Sequence, residues 1–121
     1  TSFSVQSGRE ALLAVLQSAP QPSAVICGND ILAQGALMQA QALGIEIPQA
    51  LSITGVDDME LSTHLSPGLT TVGIPTAEIG RRTAQHLLAR LNGEKTEKRT
   101  ELAVELILRG STGPPAGRAG R

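Results

Sequence analysis

Ser23-Ala24-Val25-Ile26-Cys27-Gly28-Asn29-Asp30 and Leu51-Ser52-Ile53-Thr54-Gly55-Val56-Asp57-Asp58 follow one pattern. Each is a short apolar run of strand type that ends on side chains bearing an amide or a carboxylate. A helix-like segment follows each. Alternation of this kind predicts an α/β fold, with a mainly parallel sheet flanked by helices and joined by right-handed crossovers. In an open sheet of that class, ligands bind beyond the carboxyl ends of the strands. The pattern therefore places Asn29 and Asp57 where a small polar ligand would sit. Asn29 offers two N–H donors and an acceptor, whereas ionised Asp57 offers acceptors only. Together they suit sugar hydroxyls, which both donate and accept. The competing reading is that both residues start loops and cap helices, and the residues alone leave the choice open. Asp30 and Asp58 sit directly before helical segments and are expected to be N-caps.

Working outward, Leu12, Val15, Leu16 and Ala19 form one apolar stripe of a helix that ends at Pro20. Ser7 is the expected N-cap, with Glu10 completing a capping box. A second helix is expected over Ile31–Leu43, stopped by Gly44. Met59 to Leu65 reads as one or two helical turns, Ser66-Pro67-Gly68 as a turn, and Leu69 to Val72 as a strand. Thr70 and Thr71 are read as structural strand residues. Pro75 opens a helix over Thr76–Leu91 with Ile79, Leu87, Leu88 and Leu91 as its apolar face, and Asn92-Gly93 closes it. Leu102, Val104, Leu106 and Leu108 alternate, which predicts a half-buried strand. Arg109 to Arg121 is rich in Gly and Pro and is expected to be disordered.

The composition narrows the function. A chain of 121 residues makes one domain and can bury a real core. One Phe, no Trp and no Tyr leave Leu, Ile, Val and Ala to build that core, and argue against a stacking platform for single-stranded nucleic acid. A net charge of −1 implies no basic patch, so the chain by itself is a poor binder of DNA or membrane. No apolar run approaches the roughly 20 residues that span a bilayer. The first residues, Thr1-Ser2-Phe3-Ser4, do not read as a secretory leader. Cys27 is the only cysteine and reads as a small buried hydrophobe. It suggests a reducing, cytoplasmic setting. His64 has no partner at metal-ligand spacing, and there is no phosphate-binding glycine fingerprint, so neither metal nor cofactor is expected.

Seven segments in unbroken order resemble the lactose/galactose repressor family. They are Ala24–Asp30, Ala33-Gln34-Gly35-Ala36, Leu43–Pro48, Leu51–Asp58, Pro67–Val72, Ile79-Gly80 and Leu108-Arg109-Gly110-Ser111-Thr112. The resemblance covers about residues 4 to 114. It implies part of a bacterial transcription regulator, not an enzyme. In that family a helix-turn-helix precedes a periplasmic-binding-protein-like effector domain (type I) of two subdomains, and a sugar or other small metabolite binds between them. This chain resembles only the last part of that domain. Residues 1–72 would belong to the C-terminal subdomain. Residues 73–100 would be a crossover and one helix of the N-terminal subdomain. Residues 101–109 would be a strand returning to the C-terminal subdomain, and 110–121 a disordered tail. By the same resemblance Asn29 and Asp57 match effector-contacting positions, while Ile31 and Thr76 match variable positions near the pocket. Leu37, Met38, Leu61 and Leu65 match a dimer interface, the alternative for these apolar residues being core. DNA would be reached only through a helix-turn-helix that these residues do not include.

That connectivity leaves the helix at 76–91 with an apolar stripe to bury. The expectation is a homodimer, a swapped oligomer, or docking of the helix onto the chain's own sheet. Two other functions fit the fold. One is a periplasmic sugar-binding protein of a transport system. The other is a flavodoxin-like enzyme or phosphoacceptor domain using Asp57-Asp58 as an acidic magnesium site. The latter lacks a lysine after Leu69-Thr70-Thr71, where receiver-type sites have one.

Overall fold

The computed structural model describes residues 2–18 and 20–115. The chain runs α1 (Val5–Leu16), β1 (Ala24–Ile26), α2 (Asp30–Ala42), β2 (Ser52–Thr54), α3 (Glu60–His64), β3 (Thr71–Gly73), α4 (Thr76–Leu91) and β4 (Glu105–Ile107). β1 and β2 pair in parallel, with Ala24 opposite Ser52 and Ile26 opposite Thr54. A parallel bridge between Thr54 and Thr70 carries the pairing on to the third strand. Gly55 N–H donates to Thr70 O and Asp57 N–H to Val72 O, at 3.0 and 2.9 Å. β4 then runs antiparallel to β3.

The core lies between the sheet and the pair α1/α2. It consists of Leu12, Ala33, Ala36, Leu37, Ala40, Leu51, Ile53 and Leu69, with Leu16, Val25, Cys27 and Leu65 packed against it. Small residues on α2 let α1 approach at backbone distance. A Cβ on Gly8 would overlap the Leu32 carbonyl oxygen, and one on Gly35 the Val5 carbonyl oxygen. The helix crossing is thus set by two glycines that meet the facing backbone directly. Arg9 Nε adds a hydrogen bond to Gln39 Oε1 across the same crossing, at 3.1 Å.

Helix ends follow local chemistry, though the cap of α1 differs from the expected one. Ser4, not Ser7, is the N-cap of α1, and its hydroxyl accepts from Ser7 N–H at 3.1 Å. The helix thus starts a turn earlier than the capping-box reading, and Glu10 instead accepts from Gln6 Nε2. Ala19 lies outside the described residues. Gly44, at φ 69°, stops α2 as expected, with Ile45 N–H returning to Ala40 O. Gly93, at φ 79°, does the same for α4, with Glu94 N–H returning to Ala89 O.

Two further expectations fail. Residues 110–112 are not a disordered tail, because Ser111 is among the most buried residues. Its hydroxyl donates to Ile53 O at 2.6 Å and accepts from Thr70 N–H at 2.8 Å, so it ties β2 to the start of β3. A small hydroxyl residue does this because both partners are backbone groups that need satisfying. Residues 116–121 lie outside the described residues. The alternating stretch at 102–108 is not half-buried on the predicted face. Only Glu105–Ile107 pairs as strand, and Val104, Leu106 and Leu108 are exposed, since no described element packs over them.

The sheet is covered on one face only. Ile26 is 83% exposed, and an open apolar trough of about 480 Å³ runs past Ala24, Ile26, Val56, Val72 and Leu106. α4 has no buried residue, and Ile79, Leu87, Leu88 and Leu91 all face solvent. The expected docking of this helix onto the chain's own sheet does not occur. No helix among the described residues is long and apolar enough to cross a membrane.

Candidate functional site at the carboxyl ends of the strands

β1 and β2 are offset by 28 residues in their register, Ile26 lying opposite Thr54. Beyond the paired residues the alignment slips by one, with Asp30 N–H donating to Val56 O, and Asn29 and Asp57 both leave the sheet at its carboxyl edge. β3 runs parallel to β2 through its bridge and backbone bonds. Its exit, Ile74-Pro75-Thr76, therefore opens at the same edge. Ile31 is half-buried in the first turn of α2, and Thr76 is exposed at the start of α4. The four residues expected to face an effector thus stand just beyond the carboxyl ends of β1, β2 and β3, or on the first turn of the helix that follows.

The roles of the two Asx pairs are partly reversed from the sequence reading. Asn29, not Asp30, caps α2, and its Oδ1 accepts from Leu32 N–H at 2.9 Å. That bond fixes the amide and leaves its two Nδ2 hydrogens without a partner among the described residues. Asp57 is exposed and its carboxylate has no hydrogen-bond partner among the described residues. Its φ is 115°, a region that L residues rarely enter, and Asp58 follows at φ 51°. Strained backbone of this kind persists only where its surroundings hold it, and it clusters at functional sites. The edge thus presents a fixed amide donor and an unpaired carboxylate acceptor. Sugar hydroxyls need both.

Asp58 is not a cap either. It pairs with Arg109 at 2.6 Å, and the same guanidinium donates to Leu69 O at 2.9 Å. This removes Asp58 from any acidic magnesium site. No cluster of three or more His, Cys, Asp or Glu among the described residues could hold a metal ion. Asp30 is wholly buried. It accepts from Met59 N–H (2.8 Å), Ser62 Oγ (2.5 Å) and Thr71 Oγ1 (2.6 Å). Thr70 and Thr71 are buried and hydrogen-bonded inside the sheet, as the structural reading expects. Ser62, Arg109 and Ser111 support this edge, yet sequence reasoning does not single them out as site residues. Only their place in the Leu108–Thr112 segment marks the last two.

Cys27 packs against the core, and burial followed by the nearby Asp30 charge pushes its thiol up to about 11. It is a packing residue, not a nucleophile. Among the interface candidates, Leu37 is 2% exposed and belongs to the core, and Leu65 packs against that core. Met38 and Leu61, at 48% and 52% exposed, remain on the surface. The crevice between α4 and Thr100–Leu102, about 370 Å³, contains none of the strand-end residues.

Comparison with known proteins agrees with the fold. The periplasmic binding protein-like domain family matches residues 1–112. The HTH-type transcriptional repressor CytR of Escherichia coli is 39% identical over 111 residues, which are 91% of this chain and 33% of that protein. A LacI family transcriptional regulator from Bifidobacterium animalis superposes with a TM-score of 0.91 at 34% identity, over 96% of this chain and 43% of that one. A LacI family regulator from Enterococcus faecium, solved with bound ribose, superposes with a TM-score of 0.84 at 35% identity, over 94% of this chain and 42% of that one. The chain spans about a third of the length of the curated relatives it matches. By sequence and by fold, the chain belongs to the periplasmic binding protein-like domain family, and it resembles the corresponding part of regulators of the lactose/galactose repressor (LacI) type.

Proposed function

We propose that the chain is the effector-sensing part of a cytoplasmic bacterial transcriptional regulator, and that a sugar or sugar-like metabolite binds at the strand-end edge. The observation that carries this is that Asn29 and Asp57, a fixed amide and an unpaired carboxylate, both stand just beyond the carboxyl ends of adjacent parallel strands. Asn29 donates to a ligand hydroxyl, Asp57 accepts from one, and Ile31 and Thr76 bound the site. Ribose held by the similar Enterococcus faecium regulator supports a polyhydroxyl ligand. Control of DNA affinity then requires that the ligand favour one arrangement of two subdomains over another. DNA contact itself would belong to a helix-turn-helix outside these residues, and the protein is not an enzyme.

Residues 1–72 and 101–109 belong, in this reading, to one subdomain. Residues 73–100 cross to the other, where the apolar face of α4 is covered. The exposure of Ile79, Leu87, Leu88 and Leu91 supports that assignment. Alone, the chain would cover this face by forming a homodimer or a swapped oligomer. Met38 and Leu61 supply exposed apolar contacts for a dimer, with Leu37 and Leu65 behind them. The coding sequence upstream of Thr1 tests the proposal. A helix-turn-helix there is the expected result. A signal peptide would overturn it in favour of a transport protein.

A further inference from the structure

We propose that Asp30 is a positioning residue of the effector site, acting by holding the Asp57–Asp58 turn in its left-handed backbone. This rests on the reading of Asp57 as an effector contact. Three donors converge on the one carboxylate, and the backbone of the same residue holds a fourth point. Asp30 stands on the first turn of α2. Its Oδ2 takes hydrogen bonds from Met59 N–H at 2.8 Å and Ser62 Oγ at 2.5 Å, which fixes the chain just after the turn. Its Oδ1 takes one from Thr71 Oγ1 at 2.6 Å, which fixes β3. Its own backbone N–H donates to Val56 O at 2.8 Å, just before the turn. Asp57 is therefore gripped on both sides by a residue that never touches it.

The surroundings are built for this carboxylate. Asp30, Ser62 and Thr71 are all fully buried. A Cβ on Gly55 would overlap Asp30 Oδ1, so only glycine leaves room at the end of β2. All three donors point at the carboxylate and none carries a charge. A group that only accepts is required. Asparagine would turn N–H hydrogens toward Met59 N–H and Ser62, or toward Thr71. Thr71 Oγ1 already faces Asp58 N–H at 3.4 Å. Asparagine there would leave the threonine hydroxyl hydrogen without its acceptor. Charge-assisted bonds of this kind are stronger than neutral ones, and losing them leaves buried donors unpaired. Asp57 and Asp58 at φ 115° and 51° would then relax toward ordinary backbone. Relaxation would move the Asp57 carboxylate from its place at the edge.

The test is native-state hydrogen exchange by NMR on the chain carrying Asp30→Asn, Thr71→Val or Thr71→Ser. The reporter is the Asp57 amide, which donates to Val72 O and has no bond to Asp30. The expected result is exchange at Asp57 faster by about tenfold or more in Asp30→Asn and Thr71→Val, while the α2 core amides of Ala36 and Leu37 change far less. Thr71→Ser, which keeps the hydroxyl, restores slow exchange at Asp57. Equal acceleration at Asp57 and the core would overturn the proposal, because Asp30 would then support only the whole fold. Unchanged Asp57 exchange would also overturn it. A parallel titration of D-ribose into the Asp57→Ala variant separates the two readings. If ribose shifts are the same with and without the Asp57 carboxylate, the effector reading fails while the exchange result still decides the clamp.

Discussion

Gly35→Ala is expected to destabilise the chain, whereas the same change at most exposed helix positions stabilises it. Alanine is favoured over glycine in a helix interior by about 1 kcal/mol. At Gly35 the added methyl meets the Val5 carbonyl oxygen, and it also lies against Gly8 Cα and Arg9 N. These are backbone atoms of α1, so no rotamer change relieves the overlap and α1 must move outward. Overpacking of this sort costs about 1–3 kcal/mol. Moving α1 also loosens Leu12, whose full burial contributes about 1.5–3 kcal/mol. Set against the propensity gain, the net loss centres on about 2 kcal/mol and reaches about 5 kcal/mol if Leu12 is fully exposed, a large share of ordinary domain stability. Urea unfolding followed by circular dichroism reads this as a midpoint lower by roughly 1–2 M. Gly80, in α4, has open space where a methyl would go, so Gly80→Ala is the control and gains helix stability. A Gly35→Ala protein as stable as the parent, or more so, would refute the close α1/α2 crossing.

Other outcomes follow from particular contacts. Ser111→Ala leaves Thr70 N–H and Ile53 O without their buried partner and is expected to cost about 1–3 kcal/mol in the same urea assay. A neutral result would remove Ser111 as the tie between β2 and β3. Cys27, with its thiol pushed up to about 11, is expected to alkylate slowly at neutral pH and to speed up only toward that value. Its folded pKa lies above the unfolded one. The related stability is thus present below about 9 and declines as pH rises through 11. Rapid alkylation at pH 7 in the folded chain would contradict this. Sedimentation velocity is expected to show self-association that Leu88→Glu with Leu91→Glu abolishes, because both leucines are exposed on the unpartnered face of α4. A concentration-independent monomer would count against an oligomer that covers this face.

The fold class is legible in the sequence because apolar runs, prolines and glycines are local signals. Gly44 and Gly93 end their helices where the sequence says. The common edge at which Asn29 and Asp57 stand is legible for a related reason, since two strands of one pattern in one parallel sheet must end at one edge. What cannot be read is which of two adjacent polar residues turns inward. Asn29 and Asp30 are both good caps, and only the meeting of Met59, Ser62 and Thr71 around Asp30 assigns the cap to Asn29. Ser111 escapes notice because Gly and Pro around it mimic a disordered composition, while its burial depends on backbone groups 41 and 58 positions away. The alternating stretch at 102–108 misleads for the opposite reason. Its pattern is that of a covered strand, but among the described residues nothing covers it.

The strand-end edge as a ligand wall is the central claim. Its sharpest test is a ¹⁵N NMR titration of the chain with D-ribose and a panel of other sugars. The expected result is weak, millimolar binding, as one wall of a cleft would give. Shifts should be confined to Asn29, Ile31, Asp57 and the first turn of α4, and should be lost in Asp57→Ala. Shifts that gather elsewhere on the chain, or tight binding that survives Asp57→Ala, would contradict the claim.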